Sequence, residues 1–406
     1  MTNKNLNPLT DAFEEAGLNF TDYNGARQTG VARVEFFQKD GARMTSYNAY
    51  ISPFLKDRKN LKVVPNTRVT KILINKENIA YGVEYAGENM RSITGKVYAK
   101  KEVIVSAGAL SSPRLLMLSG IGPKKTLETY GIKVIKDLPV GHNLQDHVTT
   151  YGFRLLLGKS GSYIPNNVNI VADSLLYKTT GTGPLASVGT LSVSAYINSR
   201  YSDPSDDFPD IQYYLPPQYL HKTENGYKAY LSPFAYYNSI FVQPAVLKPK
   251  SVGNLTIKSN DPFDDPVIYH NYFQFEEDLN ILIDGCNFVA KKLMNTKAFK
   301  ELGIEFDKTA APKCVHLEFG TDKYWTCAAK NHTGTTHHFG GSCKMGPSND
   351  STAVVDPKLK VYGINHLRVV DTSIIPVLPN GNTQAPAQMI AEKAADMIKA
   401  TWGWKN

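Results

Sequence analysis

Cysteine is scarce in this chain of 406 residues: four in all, Cys286, Cys314, Cys327 and Cys343, none in a C-x-x-C pair. That excludes a disulfide-built scaffold and leaves the redox compartment open. No apolar run approaches the roughly 18 residues a membrane helix needs, and the start, MTNKNLNPLT, lacks the apolar stretch of a signal peptide. Neither a membrane span nor a secretion signal is expected from the sequence as written. Charge of one sign is also modest, 45 Lys+Arg against 37 Asp+Glu for a net +8. The bases are scattered in short interruptions such as RKNLK, YAKK and GPKK, which argues against a nucleic-acid partner. Internal repeats and low-complexity tracts are absent.

A further lack concerns phosphate binding. The pattern G-x-G-x-x-[GA] occurs as Gly181-Thr-Gly183-Pro184-Leu-Ala186, but no buried strand leads into it and strand-like LSVSAYI follows where a helix is required. It reads as an ordinary loop, and nothing near the amino terminus replaces it.

What is present is an ordinary globular composition, with 42% hydrophobic residues, 30 Gly and 23 Pro, at a length that suggests about two or three domains. Asp11 followed by Glu14 resembles a capping box for a short helix ending at Gly17, and Thr45 and Ser46 are placed to open a second helix. From Leu61 to about Ser106 the pattern turns to short strands: KVV, RVTKILI, AYGVEYA and KVYA, with PN, NKEN and GEN between them as turns. EVIVSAG is a short apolar strand, after which Ser111, Ser112 and Pro113 predict a cap and first turn for a helix carrying Leu115, Leu116 and Leu118.

The stretch 151–272 is rich in aromatic and β-branched residues and predicts an antiparallel sheet, with VADSLLYK as its helical exception. A helix follows over EEDLNILIDGCNFVAKKLM. The chain closes on the buried-looking strand HLRVVDTSIIP, the loop VLPNGNTQ, and a helix with Pro386 in its first turn and Ile390, Ala394, Met397 and Thr401 at helical spacing. Tyr213, Tyr214, Tyr219, Tyr236 and Tyr237 suit either a sugar or aromatic-alcohol pocket or the packing of a sheet.

Cys327, His332, His337, His338 and Cys343 superficially suggest zinc. The cysteines are isolated, however, and Phe339-Gly-Gly-Ser intervenes, so no metal site is expected. His337 and His338 precede a small-residue loop of the kind that admits a substrate to the backbone, and an imidazole titrates near neutrality, as a proton acceptor should. Sequons at Asn19, Asn254, Asn331 and Asn349 matter only on the secretory path.

The stretches GALSSPRLLMLSGIG, VGHNLQDH, HFGGSCKMG, VVDPKLKVYGINHLRVVDTSIIP and GNTQAPAQMIAEKAADMI, in this order, resemble the glucose-methanol-choline (GMC) flavoprotein oxidoreductases, most closely their insect glucose-dehydrogenase branch. The resemblance implies an enzyme that uses flavin adenine dinucleotide (FAD) to oxidise an alcohol or sugar, with a quinone, a dye or oxygen as electron acceptor. It implies His338 as the base and Asn382 as the second catalytic residue. Thr383 and Gln384, at the start of the last helix, would lie against the flavin, Asp371 near its ribityl and pyrophosphate region, and Val69 beside the adenine.

The implied fold class is α/β (α+β), an incomplete FAD-binding Rossmann-like domain with a substrate domain built on an antiparallel sheet. The expected parts are a bridging segment 1–60, a flavin-domain part 61–150, a substrate domain 151–334 and a second flavin-domain part 335–406. Three substitutions depart from the family pattern within this region: Phe339 for proline, Ser342 for threonine and Gln384 for asparagine. The larger departure is that family members open with a glycine turn for the adenosine diphosphate half of the cofactor. The chain is therefore expected to lack an N-terminal part, to bind flavin poorly and show little or no dehydrogenase activity on its own, and to be secreted if a longer form carries a signal peptide. The rival reading is a non-catalytic binding or structural protein that keeps the fold.

Overall fold

A computed structural model describes residues 3–404 other than 204, 225 and 231. Its contacts divide the chain into two units, one made of residues 1–62, 148–247 and 276–336, the other of 63–147, 248–275 and 337–406.

In the first unit, the alternation of β-branched and aromatic residues through 190–247 produces the antiparallel sheet that the sequence predicts. Val193–Ile197 is buried along its whole length. It pairs on one side with Gly30–Arg33 and on the other with Ile211–Tyr214. The sheet continues through Gln243–Val246, Val148–Thr150 and Thr333–Thr335 to six strands, and a second sheet of five includes Arg154–Leu156 and Pro217–Thr223. Helix Glu276–Lys291 lays Leu279, Leu282, Ile283, Cys286 and Val289 inward, against the strands Gln243–Val246 and Ile211–Tyr214. Tyr213 is fully buried and donates to the Gly285 carbonyl at 2.9 Å. Tyr236 and Tyr237 are also buried and donate to Asp173 and Asn3.

Two expectations for this unit change. The first helix runs Leu6–Glu15, so Asp11 lies in its interior and caps nothing. The Asn5 side chain before it donates instead to the Gly161 carbonyl and the Tyr237 hydroxyl; tertiary contacts, not a capping box, set this start. The end is as expected, since Gly17 takes φ +100° just beyond the last turn. After Thr45, the chain makes only a π turn, Tyr47–Ile51, and a 3₁₀ turn, Ser52–Phe54. The glycine pattern at 181–186 follows a helix, Asn167–Thr180, with Gly181 left-handed at its end. Cys314 and Cys327 form a disulfide, with Cα atoms 5.8 Å apart.

The second unit holds the strand meander. Thr67–Ile74, Ala80–Gly87 and Thr94–Tyr98 pair antiparallel in chain order. Val103–Val105 pairs in parallel with Leu367–Val369. A shared core packs Ile72, Val105, Leu116, Ile121, Val140, Leu144, Val354, Leu367, Val369, Ile390 and Ala394. Helix Gln384–Thr401 turns Ile390 and Ala394 into it. At its far end Trp402 packs, donating its indole N–H to Glu102 at 2.8 Å.

The helix after the strand begins earlier than predicted. It spans Gly108–Leu118, which places Pro113 inside it. A proline there removes one backbone donor and frees the Ala109 carbonyl four residues back. The Ser342 hydroxyl donates to that carbonyl, tying the small-residue loop to the helix. Ser112, expected as a cap, instead accepts from the Ala107 N–H and donates to Asp371.

Candidate active site

The site is built in the second unit on the segment Asn143-Leu-Gln-Asp-His147. Gln145 forms a two-way backbone bridge with Gly340, at 2.9 and 3.0 Å. Beside it, Gly341 takes φ +86°, and a Cβ there would lie 2.3 Å from the Asn143 carbonyl oxygen. Only glycine allows both the left-handed backbone and this approach. The Gln145 side chain donates to the Pro376 carbonyl at 2.9 Å and accepts from the Leu378 N–H at 3.2 Å. One segment therefore holds the loop that carries His338 and the loop that leads to Asn382.

Asp146 and His147 hold His338 directly. Asp146 Oδ1 accepts from the His338 backbone N–H at 2.8 Å, and its Oδ2 accepts from the Tyr272 hydroxyl. The Nδ1 atoms of His147 and His338 lie 2.9 Å apart, with the two rings nearly perpendicular at 88°. His338 Nε2 meets the Asn382 amide nitrogen at 3.3 Å. His147 is fully buried and His338 is 7% exposed, whereas Asn382 is exposed. Tyr272 stacks on His270, which in turn stacks on Phe339.

The electrostatics follow from burial. Desolvation, with the neighbouring His337 adding to it, pushes the His338 pKa down to about 4. At neutral pH its ring is uncharged, with one nitrogen able to accept a proton. His270 is lowered too, by burial, while Asp146 opposes the shift.

The other residues singled out in the sequence fall as follows. Thr383 and Gln384 form the start of helix Gln384–Thr401, which has no side-chain cap. Asp371 turns inward: Oδ2 accepts from the Gly108 N–H and the Ser112 hydroxyl, and Oδ1 from the Ser373 N–H. Its charge thus sits at the positive end of helix Gly108–Leu118. Val69 is exposed on a cleft of about 380 Å³, whose lining includes Arg68, Ala107, Ser111, Arg114 and Leu115. Cys327 is bonded to Cys314, which leaves it no thiolate for zinc. Among the described residues no cluster of three or more His, Cys, Asp or Glu is placed to hold a metal, and no helix is long and apolar enough to cross a membrane. Asp146, His147, Gln145 and Tyr272 were not singled out, although the dense run of hydrogen-bonding side chains in NLQDH is a signal for the first three.

Two models of the GMC oxidoreductase family match residues 2–149 and 249–391. The alcohol dehydrogenase [acceptor] of Pseudomonas putida is 34% identical over 408 residues, covering 97% of this chain and 69% of its own. This chain belongs to the GMC oxidoreductase family. Another member, the glucose dehydrogenase [FAD, quinone] of Drosophila melanogaster, is 39% identical over 400 residues; the alignment takes in 98% of this chain and spans 62% of the relative's length. Among solved structures, a formate oxidase superposes with a TM-score of 0.82 at 26% identity, over 97% of this chain and 70% of that one. The family likeness agrees with the mixed helix and strand fold and its antiparallel sheets.

Proposed function

We propose that this protein is an FAD-dependent oxidoreductase acting on CH–OH donors, an alcohol or a sugar, with His338 as the base. The observation that carries the reading is the pairing of a buried, uncharged imidazole with an exposed carboxamide, His338 Nε2 and Asn382 Nδ2 at 3.3 Å. Both groups are needed at one oxygen: one takes the hydroxyl proton and the other holds the oxygen in place. Asn382 has no basic atom, so its part is to orient. A ring whose pKa lies near 4 is uncharged at neutral pH and can take up a hydroxyl proton, though as a weak acceptor.

The residues present fit a flavin on one observation: helix Gln384–Thr401 opens without a side-chain cap next to exposed Asn382 and Gln384. The N–H groups of its first turn, to which Pro386 contributes none, favour negative charge there. Thr383 and Gln384 would hold the ring end and the cleft beside Val69 the adenine end. Asp371, with its oxygens already engaged, would act by ordering the start of helix Gly108–Leu118. When bound, the flavin supplies a hydride acceptor at N5.

We assign flavin binding to 61–150 with 335–406, substrate binding to 151–334, and a bridging role to 1–60. The name of the fly relative supports a quinone acceptor, with a dye or oxygen as substitutes in an assay. The Cys314–Cys327 disulfide supports a secreted, oxidising location. The test is dye reduction by the purified, FAD-supplemented protein with glucose and a panel of primary and secondary alcohols. At the flavin loading reached, however low, reduction above the donor-free rate with at least one donor, lost on His338→Ala, is the expected result. Bound flavin with no reduction by any donor, or an unimpaired His338→Ala, would overturn the reading.

A further inference from the structure

A base must present a nitrogen without its proton, and which nitrogen of a neutral imidazole that is depends on what the other nitrogen bonds to. We infer that His147 is a positioning residue that holds His338 in its Nδ1–H form, leaving Nε2, the nitrogen that faces Asn382, without a proton. The inference rests on the reading of His338 as the base.

The two Nδ1 atoms at 2.9 Å share a single proton, so one ring donates and the other accepts. The contact with Asn382 indicates which: with the amide nitrogen toward the ring, His338 Nε2, at 3.3 Å, is the accepting atom, whereas a turned amide would present its oxygen and call for the opposite form. A neutral imidazole has one N–H, and for His338 it is therefore on Nδ1, donated to His147 Nδ1. A histidine free of such a partner favours the opposite form, with Nε2 protonated, which would point a donor at the substrate and remove the base.

The surrounding geometry keeps this pair in register. Asp146 fixes the His338 backbone at 2.8 Å and is itself held by the Tyr272 hydroxyl. His337, just before, takes a left-handed φ of +60°, so the direction in which His338 leaves the chain is set on both sides. His147 is buried without exposure to water, so solvent cannot readily replace its acceptor nitrogen.

The test is nitrogen-15 NMR of the histidine-labelled full chain at pH 7, with the long-range proton couplings that distinguish the two ring nitrogens. In the native protein His338 Nδ1 is expected to carry the proton, with Nε2 bare. In His147→Leu the ratio of Nε2–H to Nδ1–H should rise about fivefold or more, the worth of one lost hydrogen bond. His147→Asn, whose side-chain oxygen can accept in the same place, should restore it. A native His338 protonated on Nε2, or a folded His147→Leu with an unchanged ratio, overturns the inference; if that variant does not fold, the native spectrum alone decides. In the dye assay, His147→Leu should lower kcat about tenfold with little change in KM. The two readings fail separately: the expected tautomer in a protein that oxidises nothing sinks the proposed activity alone, and an active enzyme with Nε2 protonated sinks this inference alone.

Discussion

Arg368 and Glu102 form an ion pair at 2.8 Å with side chains only 1% and 5% exposed. The guanidinium also donates to the Lys358 carbonyl and the Thr401 hydroxyl, and Glu102 accepts from Trp402. The pair thereby fastens the end of helix Gln384–Thr401 to the strands Val103–Val105 and Leu367–Val369. Removing one partner strands a buried charge. Glu102→Gln or Arg368→Met should each cost about 3–5 kcal/mol, and the double replacement less than the sum. A double-mutant cycle by denaturant unfolding measures this, and additive losses would show that the two groups act independently.

The buried neutral His338 makes stability depend on pH. Its folded pKa, about 4, lies below the usual 6.5, so between those values the unfolded chain binds more protons than the folded one. This contribution is intact above pH 6.5 and is lost as pH falls toward 4, by roughly 2–3 kcal/mol at the low end. Urea midpoints across pH 4–7 should show the slope, and His338→Gln should flatten it. An equal slope in that variant would place the titrating group elsewhere.

The same depression sets the expected pH dependence of activity. If His338 is the base, the acid limb of kcat/KM should lie well below 6.5, because the free ring stays unprotonated until the solution is distinctly acid. A limb at 6.5 or above would assign the essential proton acceptor to another group.

The disulfide closes a sequence separation of 13 residues beside the rings of Tyr324 and Trp325, which pack on Phe319. Reduction should lower the stability of the first unit by about 3 kcal/mol. Thermal unfolding with and without reductant, compared with a Cys314→Ser/Cys327→Ser double variant, gives the measurement; equal curves would show that the bond adds nothing.

Gly341→Ala would force a Cβ to within 2.3 Å of the Asn143 carbonyl in a left-handed backbone. A loss of about 1–3 kcal/mol is expected. Because this loop carries His338, the long-range nitrogen couplings of that ring should change as well. Native stability and spectra would contradict the close packing described for the site.

Much of the framework is written locally. The β-branched runs separated by turn residues at 67–98 specify a meander, and the apolar 103–105 strand and the periodic 384–401 helix declare themselves, because strand and helix periods depend on near neighbours. His337 and His338 stand out by their small-residue loop, whereas Asn382 is marked only by the resemblance of its segment to the family. Where local signals failed, a distant partner had taken the side chain: Asn5 is claimed by Gly161 and Tyr237, and Ser112 by Asp371.

The sequence by itself determined the residue types at the site, the strands and helices that bear them, and the family to which the chain belongs. Only the tertiary structure decided that His338 meets Asn382 across 44 positions and His147 across 191, and that Cys314 pairs with Cys327. Tertiary structure also decided that Asp371 spends its charge on a helix start. Such relationships turn on packing between segments far apart in the chain. Burial then fixes both the charge of a ring and the place of its proton, and no run of neighbouring residues encodes burial.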